Sequence, residues 1–342
     1  MTVAPAPEIL PVALDSLDAV PDRMRGLALA IGNFDGVHRG HQALIDATGA
    51  LARRIGTAAG VLTFEPHPRS VLRPDAAVFR LTNPAARRAL IGAAGIGRIV
   101  ELTFDRMLAS LTPAEFVERV LVGGLGIRGI LSGQDFRFGN GRAGDVAFLR
   151  EAGRTHGFAV EALAPVSDAS GAVFSSGRIR KALGAGDIAE ANEALGYRWF
   201  VTGTVIHGDK RGRELGYPTA NIMIPAGHSL RHGIYAVTAA VPGGKPMPAV
   251  ASFGVRPTFG HGGAALLEVH IFDFSDDLYD RELRVTFFAW IRPEERFTSI
   301  EALVAQIDHD AETARQILRA ADGGTALDRV LAGPVAAESG IA

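Results

Sequence analysis

Apolar runs of strand length alternate with amphipathic stretches through the first half of the chain. Residues 27–31 form a continuous apolar run, and from Leu44 the positions Leu44, Ile45, Thr48, Leu51, Ala52 and Ile55 trace one face at helical spacing. Further buried strands are predicted at 61–64, 99–102, 129–132 and 158–163. Asn83 and Pro84 supply a cap and a first helical position for a helix that stops at Gly95. Thr112, Pro113 and Glu115 spell a capping box for the next helix, which closes at Gly123 and Gly124. Strands that alternate with helices in this way predict a mostly parallel, doubly wound sheet.

The texture changes after a short helix predicted at 187–195 and ended by Gly196. Strand-like stretches at 200–206, 233–239, 248–253, 266–274 and 283–290 are separated by Gly, Pro and Asp, the pattern of a small antiparallel barrel. Ile300, Leu303, Val304, Ile307, Ala311, Ala314 and Leu318 keep one apolar face and predict a closing helix. The fold class is therefore α/β plus all-β. A Rossmann-like doubly wound domain is expected over 1–186, a β-barrel domain with its helix over 187–322, and a mobile Ala- and Gly-rich tail over 323–342.

Composition narrows the function. A chain of 342 residues exceeds the usual span of one core, in keeping with two domains. Its net charge of −2 argues against a nucleic-acid or membrane-surface partner, which would call for clustered Lys and Arg. The chain has no cysteine, so disulfides and thiolate metal sites are excluded. The first 25 residues are Pro-rich and carry Glu8, Asp15, Asp18 and Asp22, unlike a basic leader followed by an apolar core. With no 18-residue apolar run, the expected location is the cytoplasm, as a monomer or homo-oligomer.

Candidate chemistry begins where the first strand meets the first helix. A helix start presents unpaired N–H groups and the positive end of its dipole, and glycines allow a polyphosphate to approach it. His38 and His41, three apart, fall on one side of that first turn and can donate to a phosphate whose charge grows during displacement. A His pair that merely caps or packs, or that holds zinc, is the alternative. Phe64 ends the second strand before Glu65, Pro66, His67 and Pro68, a stiff turn at the carboxyl end where such sheets bind ligands.

Two G-x-G-x-x-G matches raise the question of a dinucleotide site. Gly124, Gly126 and Gly129 precede a strand and act as a helix stop. Gly139, Gly141 and Gly144 follow a strand, but several polar and aromatic residues intervene, unlike the dehydrogenase fingerprint. In that interval Asp135 can anchor a ligand between the stacking rings of Phe136 and Phe138, or simply cap a turn. Ser175 and Ser176 open a helix that carries Arg178 and Arg180 in its first turns, so hydroxyls and guanidinium groups can converge on phosphate. A surface helix with serine caps reads equally well.

In the second half no P-loop string occurs, so ATP would need another glycine-rich arch with a basic rim. Gly203, Gly208, Lys210, Gly212 and Arg213 form one. Thr219 and Asn221 offer a hydroxyl and an amide oxygen two residues apart, hard ligands suited to Mg²⁺ on phosphates, or an incidental loop and strand start. Glu268 lies in a strand whose apolar neighbours would desolvate a carboxylate and suit it as a base. A lone exposed strand glutamate is the plainer alternative.

Eleven contiguous residues, Gly32 to Gln42, with His38-x-Gly40-His41 at their centre, resemble the flavin-adenylating module of bacterial bifunctional riboflavin kinase/FAD synthetases, members of the nucleotidyltransferase superfamily. The Gly-x-x-x-Gly-Arg-x-Leu-Gly-Tyr-Pro-Thr-Ala-Asn string from Gly208 to Asn221 resembles the riboflavin kinase signature. The resemblance runs in order over about residues 27 to 320. It implies an enzyme that phosphorylates riboflavin to FMN in its carboxyl domain and adenylates FMN to FAD in its amino domain, with ATP as co-substrate and Mg²⁺ in both steps. It implies nucleotide contacts at Gly32, Asn33, Phe34, Asp35 and Gly40, and at Ser175, Ser176, Arg178 and Arg180. Flavin contacts are implied at Phe64, Pro66, His67, Asp135, Phe136, Phe138, Arg256 and Arg292. Thr219 and Asn221 become the metal ligands, and Glu268 the base for the ribityl hydroxyl. Gly177 departs from the family's S-S-T pattern and removes one hydroxyl.

The rivals make distinct demands. A class I aminoacyl-tRNA synthetase would add a Lys-Met-Ser-Lys-Ser-type loop and a basic face, neither of which occurs. An oxidoreductase would bind NAD without consuming ATP, and a flavin carrier would show no ATP-dependent conversion.

Overall fold

In the computed structural model the apolar runs of the first half become strands of one six-stranded parallel sheet. The structure describes residues 8–15, 17–75, 78–208, 212, 215–224, 227–254 and 265–331. Two compact units divide it, Met1–Ser175 and Ser176–Ala342. The division precedes the boundary expected at 186/187, because the helix that starts at Ser176 packs on the next helix of the second unit.

The first unit contains β1 (Leu10–Leu14), β2 (Ala28–Ile31), β3 (Ala59–Glu65), β4 (Arg98–Thr103), β5 (Gly129–Gly133) and β6 (Ala159–Leu163), in the order β1-β4-β3-β2-β5-β6. The five strands anticipated from the sequence are present, and β1 is an addition. It lies at the edge on β4, where Pro11 costs little because only one side of the strand is paired. Strand order reverses between β2 and β5, and the crevice outside the carboxyl ends at such a reversal is where open α/β sheets take ligands.

Helix α1 (Arg39–Arg54) packs across β2, β3 and β5 through Leu44, Ile45, Thr48, Leu51 and Ala52, the predicted apolar face. Two short helices, α2 (Pro68–Leu72) and α4 (Arg106–Ser110), flank α3 (Pro84–Ala93) in sequence. Asn83 caps α3 by accepting from the Ala86 N–H at 2.7 Å. The predicted capping box opens α5 (Pro113–Glu115), which continues as a π-helix over Phe116–Gly124. Helix α6 (Val146–His156) precedes β6.

The second unit starts with α7 (Ser176–Ala185) and α8 (Ile188–Leu195), the latter capped by Asp187 and ended by Gly196 in the left-handed region. A closed antiparallel barrel follows: β7 (Phe200–Ile206), β8 (Ala220–Ile224), β9 (Gly233–Ala240), β10 (Met247–Gly254), β11 (Ala265–Ile271) and β12 (Glu282–Arg292), in the order β10-β11-β8-β7-β12-β9. Closure removes the unpaired sheet edges that small β domains must otherwise protect. Helix α9 (Ile300–Ala320) buries Ala314, with Ala311, Ile317 and Leu318, against Ala236, Val250 and Phe272, whereas Ile300 is exposed. The tail expected from 323 begins as a helix, α10 (Ala326–Leu331), tied down by Asp328, which accepts from the Arg198 N–H at 2.7 Å. Its remainder lies outside the described residues. No helix among the described residues is long and apolar enough to cross a membrane.

Candidate functional site

The first-unit site grows from the turn between β2 and α1. Phe34, Gly36 and Val37 all take positive φ, at 50°, 82° and 37°, so the chain is bent through a conformation that L-residues rarely adopt. Burial holds it there, since Phe34 and Val37 are fully enclosed. Asp35 Oδ1 accepts from the N–H groups of Leu81 and Thr82, at 2.9 and 3.2 Å, and the Gly36 N–H donates to Thr82 Oγ1 at 3.2 Å. Gln42 Nε2 returns to the Val37 carbonyl at 2.8 Å.

His38 is the N-cap of α1, yet its side chain does not close the cap. Its ring stacks on that of His41 instead, with centroids 3.8 Å apart and planes at 21°. Gly40 makes the stack possible, because a Cβ there would sit 3.1 Å from two atoms of the His38 ring. The Phe34 ring lies tilted against His41, with centroids 5.0 Å apart and planes at 43°. Burial, and then the neighbouring His38, hold the His41 imidazole well below the usual histidine range, so it acts as a neutral ring with one N–H. No acidic side chain occupies the first turn of α1, which keeps the positive end of the helix open to anions.

A cavity of about 580 Å³ opens at the strand-order reversal. Gly32 and Asn33 reach it from the end of β2, Phe64 and Pro68 from β3 and α2, and Asp135, Phe136 and Phe138 from the segment after β5. Phe136 and Phe138 stack at 5.8 Å with planes at 13°, although the buried Phe138 also packs on Phe116 and Phe148. Pro66 is exposed in the turn before α2, and His67 caps that helix by accepting from the Arg69 N–H at Nδ1. Phe104, Leu108, Phe116 and Arg142 also line the cavity. Sequence reading missed them because they come from short helices and loops with no motif.

The two glycine triplets behave as expected. The first ends the π-helix. The second folds into a turn in which Phe138 and Gly144 exchange backbone hydrogen bonds of 3.1 and 2.9 Å, and α6 opens directly after it with Asp145 as its cap. Ser175 ends the first unit, whereas Ser176, Arg178 and Arg180 belong to α7 of the second, where Arg178 pairs with Glu190.

The second-unit site centres on β8 and β11. Glu268 and Asn221 are directly opposed across these strands, which places their Cβ atoms ~5 Å apart. Leu267 and Val269, expected to desolvate the carboxylate, turn into the barrel core. Glu268 shares the outer face with Asn221, Ser252 and His270 and is half-buried. Asn221 is 6% exposed, and Gly208 lies against its amide, where a Cβ would come within 2.4 Å of Nδ2. Gly203 similarly abuts Ile222, and the Gly212 carbonyl closes a turn by accepting from the Tyr217 N–H at 2.7 Å.

Thr219 and Ala220 line a cavity of about 480 Å³ with Val205, Val269, Ile271 and the segment from Phe274 to Tyr279. His270 Nδ1 lies 2.9 Å from the Pro218 carbonyl, and the Tyr217 hydroxyl donates to Asp308 on α9 at 2.6 Å, so the Thr219 segment is pinned from two sides. Asp308 carries no sequence signal, since it gains its meaning only from the packing of α9, and the contact of His270 with Pro218 follows only from the barrel's register. Arg292 makes a bidentate pair with the buried Asp310, 2.8 Å from Nε and 2.6 Å from Nη2, and thereby ties β12 to α9. Lys210, Arg213 and Arg256 lie outside the described residues.

The donor set suits a hard cation. Thr219 supplies a hydroxyl oxygen and Asn221 an amide oxygen, and the added Cβ that Gly208 and Gly212 lack would stand 3.3 Å from Asn221 Oδ1 and 3.9 Å from Thr219 Oγ1. Gly208 and Gly212 therefore each leave open space beside one of these oxygens.

Comparison with known proteins matches these two halves separately. The FAD synthetase family profile covers residues 20–177, and the riboflavin kinase profile covers residues 195–318. A bifunctional riboflavin kinase/FMN adenylyltransferase of Pseudomonas fluorescens is 44% identical over 293 residues, 86% of this chain and 93% of the relative. The protein of the same description from Escherichia coli K12 is 39% identical, over 85% of this chain and 92% of the relative. Among solved structures, a macrolide-efflux protein from Streptococcus pneumoniae matches with a TM-score of 0.79 and 30% identity, over 90% of this chain and 99% of that one. With both profiles in order and relatives matched over nearly their full length, the chain belongs to the bifunctional riboflavin kinase/FMN adenylyltransferase family.

Proposed function

We propose that the chain makes FMN and then FAD at two separate places, one in each unit. The observation that carries this reading is the His38–His41 stack over Gly40 at the start of α1, in a unit whose sheet also opens a cavity at its strand-order reversal and which is separate from the barrel. In the barrel, riboflavin is phosphorylated. Glu268 accepts the proton of the ribityl hydroxyl as its oxygen bonds to the γ-phosphorus of ATP, and ADP departs. Mg²⁺, held through Thr219 and Asn221 with the ATP phosphates, supplies charge neutralisation there. Lys210 and Arg213, outside the described residues, are assigned to the same phosphates by their motif alone.

In the first unit FMN is adenylated. A phosphate oxygen of FMN bonds to the α-phosphorus of ATP, the bond to the β-phosphate breaks, and pyrophosphate leaves. His38 and His41 donate to the phosphate oxygens as charge builds, with Gly32, Asn33 and the start of α1 lining the nucleotide path. The isoalloxazine enters the aromatic cavity of Phe64, Phe136 and Phe138, whose lining Asp135 shares. An enzyme that consumes ATP and riboflavin in this way fits the cytoplasm.

Incubation with riboflavin, ATP and Mg²⁺, followed by chromatography of the flavins, tests the assignment. His38→Ala is expected to stop FAD formation and spare FMN formation, and Glu268→Gln to do the reverse. Loss of both activities in a folded His38→Ala protein would refute the separate sites.

A further inference from the structure

Three consecutive residues, Arg80, Leu81 and Thr82, bridge the two loops of the first-unit site, and no motif accounts for them. Arg80 lays both Nη atoms on Glu65, 2.6 Å from Oε1 and 2.7 Å from Oε2, in the forked geometry that fixes orientation as well as distance. The next two residues give their backbone N–H groups to Asp35, and the Thr82 hydroxyl takes the Gly36 N–H. One end of the bridge therefore holds the turn that leaves β3, and the other holds the bent loop before His38.

Each end needs holding. The loop of Phe34, Gly36 and Val37 adopts a backbone that persists only when its surroundings over-determine it. Glu65 sits between Phe64 and Pro68, both of which line the cavity, so its position sets that wall. Beneath it the buried Arg87 reaches Glu65 at 3.2 Å, Glu101 at 2.5 Å and the Phe64 carbonyl at 3.2 Å, which anchors the bridge to the sheet. Burial pushes the Glu65 carboxyl up, but Arg80 and Arg87 outweigh it and hold the group below its usual range, so the pair stays charged at neutral pH.

We propose that Arg80 is a positioning residue for FMN adenylation: through Glu65 it places the flavin wall, and through the Leu81 and Thr82 backbone it keeps Asp35, and hence the helix-start histidines, in register with that wall. This rests on the assignment of adenylation to the first unit. Binding of FMN and the geometry of its attack are then set together, which predicts that loosening the bridge changes KM as well as kcat.

The test uses the full chain with Arg80→Ala, Arg80→Lys and Thr82→Val, with FMN and ATP varied separately and riboflavin phosphorylation measured on the same preparations. Arg80→Ala is expected to lower kcat/KM for FMN by about 100-fold, the scale of an ångström-sized misplacement, with riboflavin phosphorylation unchanged. Arg80→Lys recovers part of the loss, because an ammonium holds Glu65 as a point charge without the fork. Thr82→Val, which keeps shape and removes the bond to Gly36, raises KM for ATP more than KM for FMN, and it remains informative should Arg80→Ala fold poorly. Unchanged KM values in both Arg80→Ala and Thr82→Val, or a fall in kcat alone in step with lost folded protein, would overturn the proposal. A parent chain that makes FMN but no FAD would overturn the adenylation assignment itself, and does so before any variant is compared.

Discussion

A methyl group at Gly208 would test the geometry of the kinase arch most directly. The added Cβ would stand 2.4 Å from Asn221 Nδ2 and 3.0 Å from Cγ, whereas ordinary van der Waals contact starts at 3.4 Å. Asn221 cannot swing into solvent. It is 6% exposed and is flanked in register by Ile206 on β7 and Glu268 on β11. Either the amide or the arch must therefore retreat by about 1 Å, and a displacement of that size in a reacting constellation costs about 100-fold in rate, about 2.7 kcal/mol of transition-state stabilisation. Riboflavin phosphorylation should fall by that factor in Gly208→Ala, with FMN adenylation at the parent's rate in the same tube. The cause is separable from a general weakening of the barrel. In Asn221→Ala the amide is gone and the added methyl has room, so the double variant should match Asn221→Ala alone. Parental kinase activity in Gly208→Ala, or losses that add in the double variant, would show that the arch does not close on Asn221.

Other consequences follow from single contacts. His41 is neutral in the folded chain, held so by burial and then by His38, whereas the unfolded chain protonates it near pH 6.5. The unfolded state therefore binds the extra proton. The stability this gives is present above that pH and is lost as pH falls through it, so the first unit should melt earlier at pH 5 than at pH 7. His41→Gln should flatten the dependence, and an equal slope in the variant would remove His41 as its source. Asp310→Asn leaves the half-buried Arg292 without its partner and should destabilise the second unit by about 3 kcal/mol in urea unfolding. The KM for riboflavin should stay put in the folded fraction if Arg292 acts as a strut between β12 and α9. A rise in KM would return Arg292 to the flavin.

Much of this architecture is legible in the sequence because the elements that build it are long or strongly periodic. The face of α1, the caps at Asn83 and Thr112 and the stop at Gly196 each rest on local chemistry that tertiary contacts do not override. Two strands escaped for opposite reasons. β1 carries Pro11 in a proline-rich stretch and is stabilised only by its pairing with β4, a contact to residues almost 90 positions away. β8 begins inside the Pro-Thr-Ala-Asn string, which the sequence offers as metal ligands or as a loop and strand start, and its extent is set only when β7 and β11 pair on both sides. Glu268 shows the same limit at the level of one side chain. Apolar neighbours in sequence suggested a desolvated carboxylate, but alternation along β11 sends those neighbours to the other face.

The two sites share a device that explains why their motifs are short and their supports are not. Gly40 and Gly208 both keep an ordinary φ, so neither is required by the path of the backbone; each is required because a functional side chain lies against its Cα, His38 in one case and Asn221 in the other. A ring or amide pressed onto backbone is fixed on one side only. The opposite restraint must come from elsewhere in the fold, and it does: Arg80 to Thr82 hold the loop before His38, while His270 and Asp308 hold the segment before Asn221. A contiguous string records the close approach, because glycine and side chain are near in sequence at the first site and are the two ends of one motif, Gly208 to Asn221, at the second. The counter-restraint is satisfied by any donor or acceptor the fold delivers to that point, so it leaves no pattern along the chain. Variation in activity among chains with intact motifs should accordingly trace to these distant supports.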